Sequence, residues 1–592
     1  TRATEIWRRL GGGIGLLGPG VGAAMTSYIA VRLEGPDGAA DEAWALAHGA
    51  VSVGREGGAA TLVLFDAARG ADAVRRALEA THAGVAAGTT RVAAVTQLRG
   101  AAPGPPKAPP AASRNPALDR IKSEGFTPLK VTRSMAKDGK PDAVVIVDPI
   151  STGARLAAMA VARGFSIVRV MSKAMPEDVM SMLPAGCGEL DWLASYEVGD
   201  NCEPTIKALK ALPVHILGMF VGCESGVECY DLLSERMGGF PTNGVASSLA
   251  RRDKYPMGEH VRAAGLRAVK QQLCTAWSGD AAESALAFIR ELRVPDVEAV
   301  NGEQRWCVLK PCKSAGTDGV YIAKSVAEAE RRFGEIVGHS NVFGETNTAC
   351  LVQEFMAGTE FVVDSVSVEG VHKCTAIWVY DKRPANGVQF VYYGMELFQS
   401  EDGKREDALV DYVFGVLDAL GVRHGPSHAE VMWLASDEAP CLVEVGCRPH
   451  GGEGTFVQMV TPIMGYSQAS VMLDAVEKPY RFHRLPRRPE HFGGGAVEIC
   501  LVCYEAGVFA HWIPEGLAMI RALNSFNSEE LKIFSGDAIV PTVDFLNTPG
   551  SIMLVHLDAA QLQADIDVIR GLEKVGLYHI VQNTRKIRLS SF

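Results

Sequence analysis

Residues 308–320 read VLKPCKSAGTDGV. A short apolar run ends in Lys310-Pro311 and enters a loop of small residues, Ser314-Ala315-Gly316-Thr317-Asp318-Gly319. A second apolar run, Val320-Tyr321-Ile322-Ala323, follows. Glycines let backbone N–H groups come close to an anion, and a lysine at the strand end adds a point charge. The pattern suits a flap that closes over phosphates. It is not a Walker A sequence, because no Gly-Lys-Ser/Thr follows at the required spacing. A hairpin loop that needs glycine for positive φ explains the same letters. The choice between them rests on the rest of the chain.

With 592 residues the chain has room for roughly three to five domains. A hydrophobic fraction of 47% and a charged fraction of 21% are those of a globular protein with large cores. The net charge of −11 argues against a general nucleic-acid binder. No apolar run reaches the ~18 residues of a membrane span. The 13 cysteines are scattered through apolar runs, which suits buried, reduced thiols and a cytoplasmic location. The chain begins at Thr1 and not at methionine, so organelle targeting stays open, and no signal peptide is expected in the residues present. Cys500 and Cys503 form a lone C-x-x-C within a strand-like run, where residues three apart face opposite sides.

The expected fold class is α/β and α+β multidomain. Residues 1–100 read as a small α+β appendage, with strands at Ser27–Glu34, Thr61–Phe65 and Arg91–Leu98 and a helix at Asp72–Thr81. The glycines of 11–22 lack the preceding strand and the later acidic residue of a dinucleotide fingerprint. A Pro/Ala-rich linker, AAPGPPKAPPAASRNP, spans 101–116. Residues 117–245 alternate buried-strand and helix patterns and read as a Rossmann-like domain. Residues 246–484 hold the flap, the strands around it and two candidate lobes. Residues 485–592 read as a closing α+β domain.

Several positions then converge on one chemistry. Arg251-Arg252-Asp253-Lys254 opens a helix, with Asp253 as its N-cap or as a first-turn acid, and a helix N-terminus flanked by cations favours anions. Glu354-Phe355-Met356 and Glu360 flank a short turn that resembles a hinge. The backbone there suits an adenine edge and Glu360 suits ribose hydroxyls. His428-Ala429-Glu430-Val431-Met432-Trp433 and Pro440-Cys441-Leu442-Val443-Glu444-Val445 read as two facing strands. Two carboxylates side by side are costly to bury unless a cation joins them, and oxygen ligands alone suit Mg²⁺. Arg448-Pro449-His450-Gly451-Gly452 follows at once. His424 and His428 flank Gly425-Pro426 and do not share a helical turn, which weakens a zinc reading.

In order, RRDKYPM, VLKPCKSAGTDGV, LVQEFMAGTEFVVD, HAEVMW and EVGCRPHGG resemble the ATP-grasp enzymes. Within them they resemble the bacterial L-amino-acid ligases. The resemblance covers about residues 140–590. It implies a Rossmann-like pre-ATP-grasp domain, a two-lobed ATP-grasp domain and a C-terminal domain. It implies ATP and Mg²⁺, with Mn²⁺ as an alternative ion. Lys254 and Lys310 would contact ATP phosphates, and Ser314, Gly316, Thr317 and Gly319 would form the mobile flap. Glu354, Phe355 and Met356 would hold adenine, and Glu360 ribose. Glu430 and Glu444 would hold the metal, and Arg448 would lie by the transferred group. Where many relatives read Glu-x-Asn-x-Arg, this chain reads Glu444-Val445-Gly446-Cys447-Arg448, which predicts weaker binding at one metal position.

The implied reaction is an ADP-forming carboxylate–amine ligation through an acyl phosphate. The catalytic candidates are Arg448, Lys310, His428 and His450, the histidines as candidates for a general base. Small-molecule acid and amine partners are expected, with no nucleic acid and no membrane, and a homodimer is among the expected states. Trp378, Tyr380, Tyr392, Tyr393, Met395 and His450 are candidates for the substrate pockets. Two rivals stand beside this reading. One is an ATP-grasp carboxylase or nucleotide-biosynthesis ligase. The other is a nucleotide-binding regulatory protein without turnover, for which Gly446 is the main argument.

Overall fold

The computed structural model describes residues 27–34, 52–56, 60–66, 91–99, 134–136, 139–175, 187, 190–199, 201–297, 305–490 and 492–581. The helix expected at Asp72–Thr81, the glycines of 11–22 and the linker at 101–116 lie outside these residues. The chain divides into two compact units. One takes residues 1–119, 512–524 and 567–579, and the other 120–511, 525–566 and 580–592.

In the first unit, β1 (Ser27–Glu34), β2 (Ser52–Glu56), β3 (Ala60–Asp66) and β4 (Arg91–Arg99) form an antiparallel sheet of order β2-β3-β1-β4. Three of these strands match the runs read from sequence, and β2 was not foreseen.

The second unit holds the site. Its first layer is parallel: β5 (Asp142–Val147), α1 (Thr152–Ala162), β6 (Ser166–Met171), β7 (Trp192–Glu197), α2 (Glu203–Ala211), β8 (His215–Val221) and α3 (Val227–Met237). The strand order is β7-β6-β5-β8. The wholly buried β5, DAVVIV, is what a sheet covered on both faces requires. Next, α4 (Lys254–Ala263) starts at Asp253, whose carboxylate accepts from the Tyr255 N–H at 2.9 Å. This is the predicted cap.

A four-stranded antiparallel sheet follows, made of β9 (Gln271–Cys274), β10 (Cys307–Pro311), β11 (Tyr321–Ala323) and β12 (Cys350–Glu354) in the order β11-β10-β12-β9. Helices α5 (Gly279–Glu291) and α6 (Val326–Ile336) bring Ala285, Ile289, Ala329 and Phe333 into the same small core as strand residues Leu309 and Val352.

The largest sheet carries the chemistry. Its strands are β13 (Gly358–Val368), β14 (Val371–Ala385), β15 (Val388–Leu397), β16 (Gly425–Leu434), β17 (Pro440–Gly446), β18 (Gly495–Cys500), β19 (Phe526–Leu531) and β20 (Gly550–His556). They run in the order β17-β16-β13-β14-β15-β18-β20-β19. Strands expected to belong to a separate C-terminal region therefore extend the same sheet as the glutamate hairpin. The α7 helix (Lys404–Ala419) buries Leu409, Val413 and Leu417 in a core shared with Phe361, Val363 and Val431. The helices α8 (Phe456–Met464) and α9 (Gln468–Glu477) pack Phe456, Val460 and Leu473 with Val362 and Trp378 in a second core.

Candidate active site

The β16–β17 hairpin sets Glu430 directly opposite Glu444. Both carboxylates are partly buried, so cations must offset them. Lys254, first residue of α4, places Nζ 3.2 Å from Glu444 Oε2 and donates to the Ser314 carbonyl at 2.8 Å. Lys310 ends its buried strand with Nζ 3.5 Å from the Val443 carbonyl. Burial pushes its ammonium down to about 8. Lys382, on β14, pairs with Glu360 Oε1 at 2.7 Å and lies over the rings of Tyr380 and Tyr392. Burial, with Glu430 adding to it, holds the Glu360 carboxyl above the ordinary range, while Lys382 and His428 hold Glu430 below it. Three lysines and three glutamates thus form one charge cluster, with Glu430 at its cavity edge.

The flap lies against this cluster. Gly316, Thr317 and Gly319 all take positive φ, so the hairpin-turn geometry and the small-residue loop are one feature. Ser314 Oγ donates to Asp318 at 2.6 Å, and the same carboxylate oxygen accepts from the Val342 N–H.

Beside the hairpin, Asp364 is fully buried on β13 and holds two histidines. Its Oδ1 accepts from His428 Nδ1 at 2.9 Å, and its Oδ2 from His450 Nδ1 at 2.7 Å. Burial alone would raise this carboxyl, but the two imidazoles hold it well below the usual range. An ionised carboxylate only accepts, so both Nδ1 atoms carry hydrogen. Asp364, His428 and His450 also bring ligand atoms within 4.8 Å of one another, a spacing a metal can use. The two short hydrogen bonds already satisfy the group without one. His428 Nε2 lies 3.3 Å from the Tyr380 hydroxyl and 3.5 Å from Glu430 Oε1.

Arg448 follows β17. Its Nε donates to Glu224 Oε2 at 2.9 Å and its NH1 to the Pro449 carbonyl at 3.1 Å. This pair accounts for Gly446. A Cβ there would meet Glu224 Oε2 at 2.7 Å and Arg448 Cζ at 3.0 Å. The volume of a side chain at 446 is occupied by an ion pair from another segment. The loop after Arg448 is tied back to the parallel layer, because the Thr152 hydroxyl donates to the His450 and Gly451 carbonyls.

Glu224, Glu430, His428, Arg448 and His450 line a cavity of about 170 Å³. Its walls include Gly316, Tyr380, Tyr392, Met395, His428, Glu430, Arg448, His450, Glu498 and Phe545.

A model of the ATP-grasp domain matches residues 304–456. Over 442 residues, 74% of this chain, the sequence is 30% identical to dapdiamide A synthase of Enterobacter agglomerans and covers 97% of that protein. The chain belongs to the ATP-grasp ligases. As an ATP-grasp ligase it is an ATP-dependent enzyme of amide-bond formation. Its fold matches the L-amino acid ligase of Bacillus licheniformis with a TM-score of 0.57 at 16% identity, over 76% of this chain and 100% of that one. It matches an N5-carboxyaminoimidazole synthase of Aspergillus clavatus, solved with ADP, with a TM-score of 0.50 at 11% identity, over 73% and 98%.

The donor set of this ATP-grasp ligase fits the magnesium nucleotide expected of it. Glu430 and Glu444 offer hard oxygens side by side, and Lys254 and Lys310 add two ammonium groups beside them. Of the residues read from sequence, Lys254, Lys310, Glu360, Glu430 and Glu444 come together, and Arg448, His428 and His450 line the adjoining cavity. At the expected adenine segment the Glu354 side chain accepts from the Lys270 N–H at 2.9 Å, Phe355 packs edge-on against Trp306, and Met356 packs on a small core with Val269 and Leu434. Tyr380, Tyr392 and Met395 line the cavity as expected. Trp378 does not; it is fully buried and donates to Asp364 Oδ2 at 2.9 Å. Tyr393 is also absent from the wall, because its hydroxyl sits 3.1 Å from that of Tyr504. His424 accepts from the Glu369 N–H, apart from His428.

Four residues of the site were missed: Glu224, Asp364, Lys382 and Glu498. Asp364 and Glu498 had a signal, a single acid inside an apolar strand, in FVVDSV and AVEIC. Glu224 and Lys382 had none, since the partner of Glu224 stands 224 residues away and the pairing of Lys382 depends on strand register.

Proposed function

We propose that this ATP-grasp ligase joins an amino acid, or another carboxylic acid, to an amine or amino acid through an acyl phosphate, releasing ADP and phosphate. The observation that carries the reading is the pairing of Glu430 with Glu444, with Lys254 and Lys310 beside them and Arg448 at the mouth of one cavity. That arrangement offers positive charge to a polyanion next to a cavity for the reacting acid and amine.

Lys254 and Lys310 hold the phosphates of ATP, and the Ser314–Gly319 loop covers them. Held by Glu430 and Glu444, Mg²⁺ supplies further charge neutralisation at those phosphates. A carboxylate oxygen of the acid attacks the γ-phosphorus, the bond to the ADP oxygen breaks, and an acyl phosphate forms. The amine nitrogen then attacks the acyl carbon and the carbon–oxygen bond to phosphate breaks. Arg448, anchored by Glu224, stabilises the oxyanion of that second step. The cavity walls exclude the water that competes with the amine. Adenine at Glu354–Met356, ribose at Glu360, and domains bounded at 117–245, 246–484 and 485–592 belong to the same proposal.

The test is nucleotide product analysis with pooled acids and amines, then with single pairs. ADP release that needs both reactants and is lost in Glu444→Ala supports the reading. AMP as product, or ADP release independent of both reactants, contradicts it.

A further inference from the structure

An amine substrate reaches the enzyme as an ammonium, which cannot attack carbon until it loses a proton. The cavity must therefore hold a proton acceptor, and the carboxylates of the hairpin are committed to lysines and to the nucleotide site. Of the other carboxylates that line it, Glu224 is held by Arg448, Glu453 pairs with Lys532 at 3.4 Å, and Glu498 accepts from Thr455 through Oε2 while its Oε1 is buried away from the cavity space. His428 is committed as well, because its Nδ1 donates to Asp364 and its Nε2 faces Tyr380 and Glu430. His450 is different. It lines the cavity, its Nδ1–H is fixed on Asp364 Oδ2 at 2.7 Å, and no described residue bonds its Nε2.

Its ring is held from every side. Phe456 stacks on it with centroids 5.0 Å apart, Trp378 meets it edge-on, and the His450 N–H donates to Gln468 Oε1 at 2.8 Å. We propose that His450, oriented by Asp364, is the base that deprotonates the incoming ammonium, its Nε2 lone pair turned to the cavity. This rests on the acyl-phosphate reading above.

The charged and titratable groups that face His450 are Asp364 on β13, His428 on β16 and Arg448 two residues upstream. Burial, with His428 and Arg448 beside it, keeps the imidazole neutral by lowering it from its ordinary value, while Asp364 resists. A neutral imidazole with hydrogen on Nδ1 has its lone pair on Nε2.

The step balances. The ammonium gives one proton to His450 Nε2, and the freed nitrogen pair forms the C–N bond. The C–O bond to phosphate breaks, and the second proton leaves with the departing phosphate. Asp364 stays ionised throughout and stabilises the imidazolium.

Hydroxylamine separates this base from the rest of the machinery, since it is uncharged near neutral pH and attacks acyl phosphates without one. The experiment compares wild-type enzyme with His450→Gln and Asp364→Asn, using Mg-ATP and an accepted acid. Hydroxamate formation is measured beside amide formation from the amine. The expected result for His450→Gln is an amide rate lower by roughly 100-fold, with hydroxamate formation within about threefold of wild type. The amide deficit should shrink about tenfold per pH unit as free amine accumulates. Asp364→Asn should show the same split. Equal loss of both products, or an amide rate unchanged in His450→Gln, would overturn the assignment. Amide without hydroxamate from the wild-type enzyme would overturn the acyl phosphate itself, and the assignment with it.

Discussion

Gly446 shows how one missing side chain is decided elsewhere in the chain. A Cβ there would lie 2.7 Å from Glu224 Oε2, closer than real contacts allow. Gly446→Asn should therefore displace the Arg448–Glu224 pair and lower kcat by roughly 100-fold, the cost of losing one oxyanion donor. Steady-state kinetics beside a melting curve checks this, and an Asn variant of full activity would remove the steric account. Glu498 makes a prediction about pH. Burial raises its carboxyl from 4.5 to about 7, and its Oε1 has no partner. A raised carboxyl favours the folded state while protonated. Its contribution is therefore complete below pH 4.5 and lost as pH rises to about 7, at most about 3 kcal/mol. Glu498→Gln should abolish that loss, so its melting temperature should fall less than wild type between pH 5 and 8. Glu430 and Glu444 were legible in the sequence because each sits in a short apolar strand beside a turn, where hairpin register follows from spacing. Glu224 was not legible, because its partner Arg448 stands 224 residues away, and Lys382 was not because its pairing with Glu360 depends on the register of two long neighbouring strands.

The strands and helices are built where apolar periodicity and caps put them, and most ends shift by only a few residues. Tertiary pairing lengthened several strands. β14 runs the length of Val371–Ala385, because β13 and β15 both hydrogen-bond to it. Strand order was hidden for the same reason: local spacing cannot show that Gly495–Cys500 and Gly550–His556 join the sheet of the glutamate hairpin. Close approach within that sheet is testable at Gly358, where β13 begins beside the end of β16. A Cβ there would meet the Trp433 carbonyl oxygen at 2.0 Å. Gly358→Ala should cost about 1–3 kcal/mol, read as a lower denaturation midpoint in urea. An unchanged midpoint would mean the two strands can separate freely at that end.

Taken together, the eight-stranded sheet of the second unit holds Glu360, Asp364, Lys382, His428, Glu430 and Glu444, while α4, the four-stranded sheet and the loop after β17 bring Lys254, Lys310, Arg448 and His450 to them. The family follows from the relatives. The proposed order of the reaction draws on where the groups stand: Lys254, Lys310, Glu430 and Glu444 together, with Arg448 and His450 along the adjoining cavity. None of the described helices is long and apolar enough to cross a membrane. The central claim is that the acid is activated by phosphate before the amine attacks, and it is tested by following oxygen. With an acid labelled with oxygen-18 in its carboxylate, one turnover with Mg-ATP and amine should place one labelled oxygen in the released inorganic phosphate. Label found in AMP, or unlabelled phosphate whose fourth oxygen comes from water while amide still forms, would contradict the account.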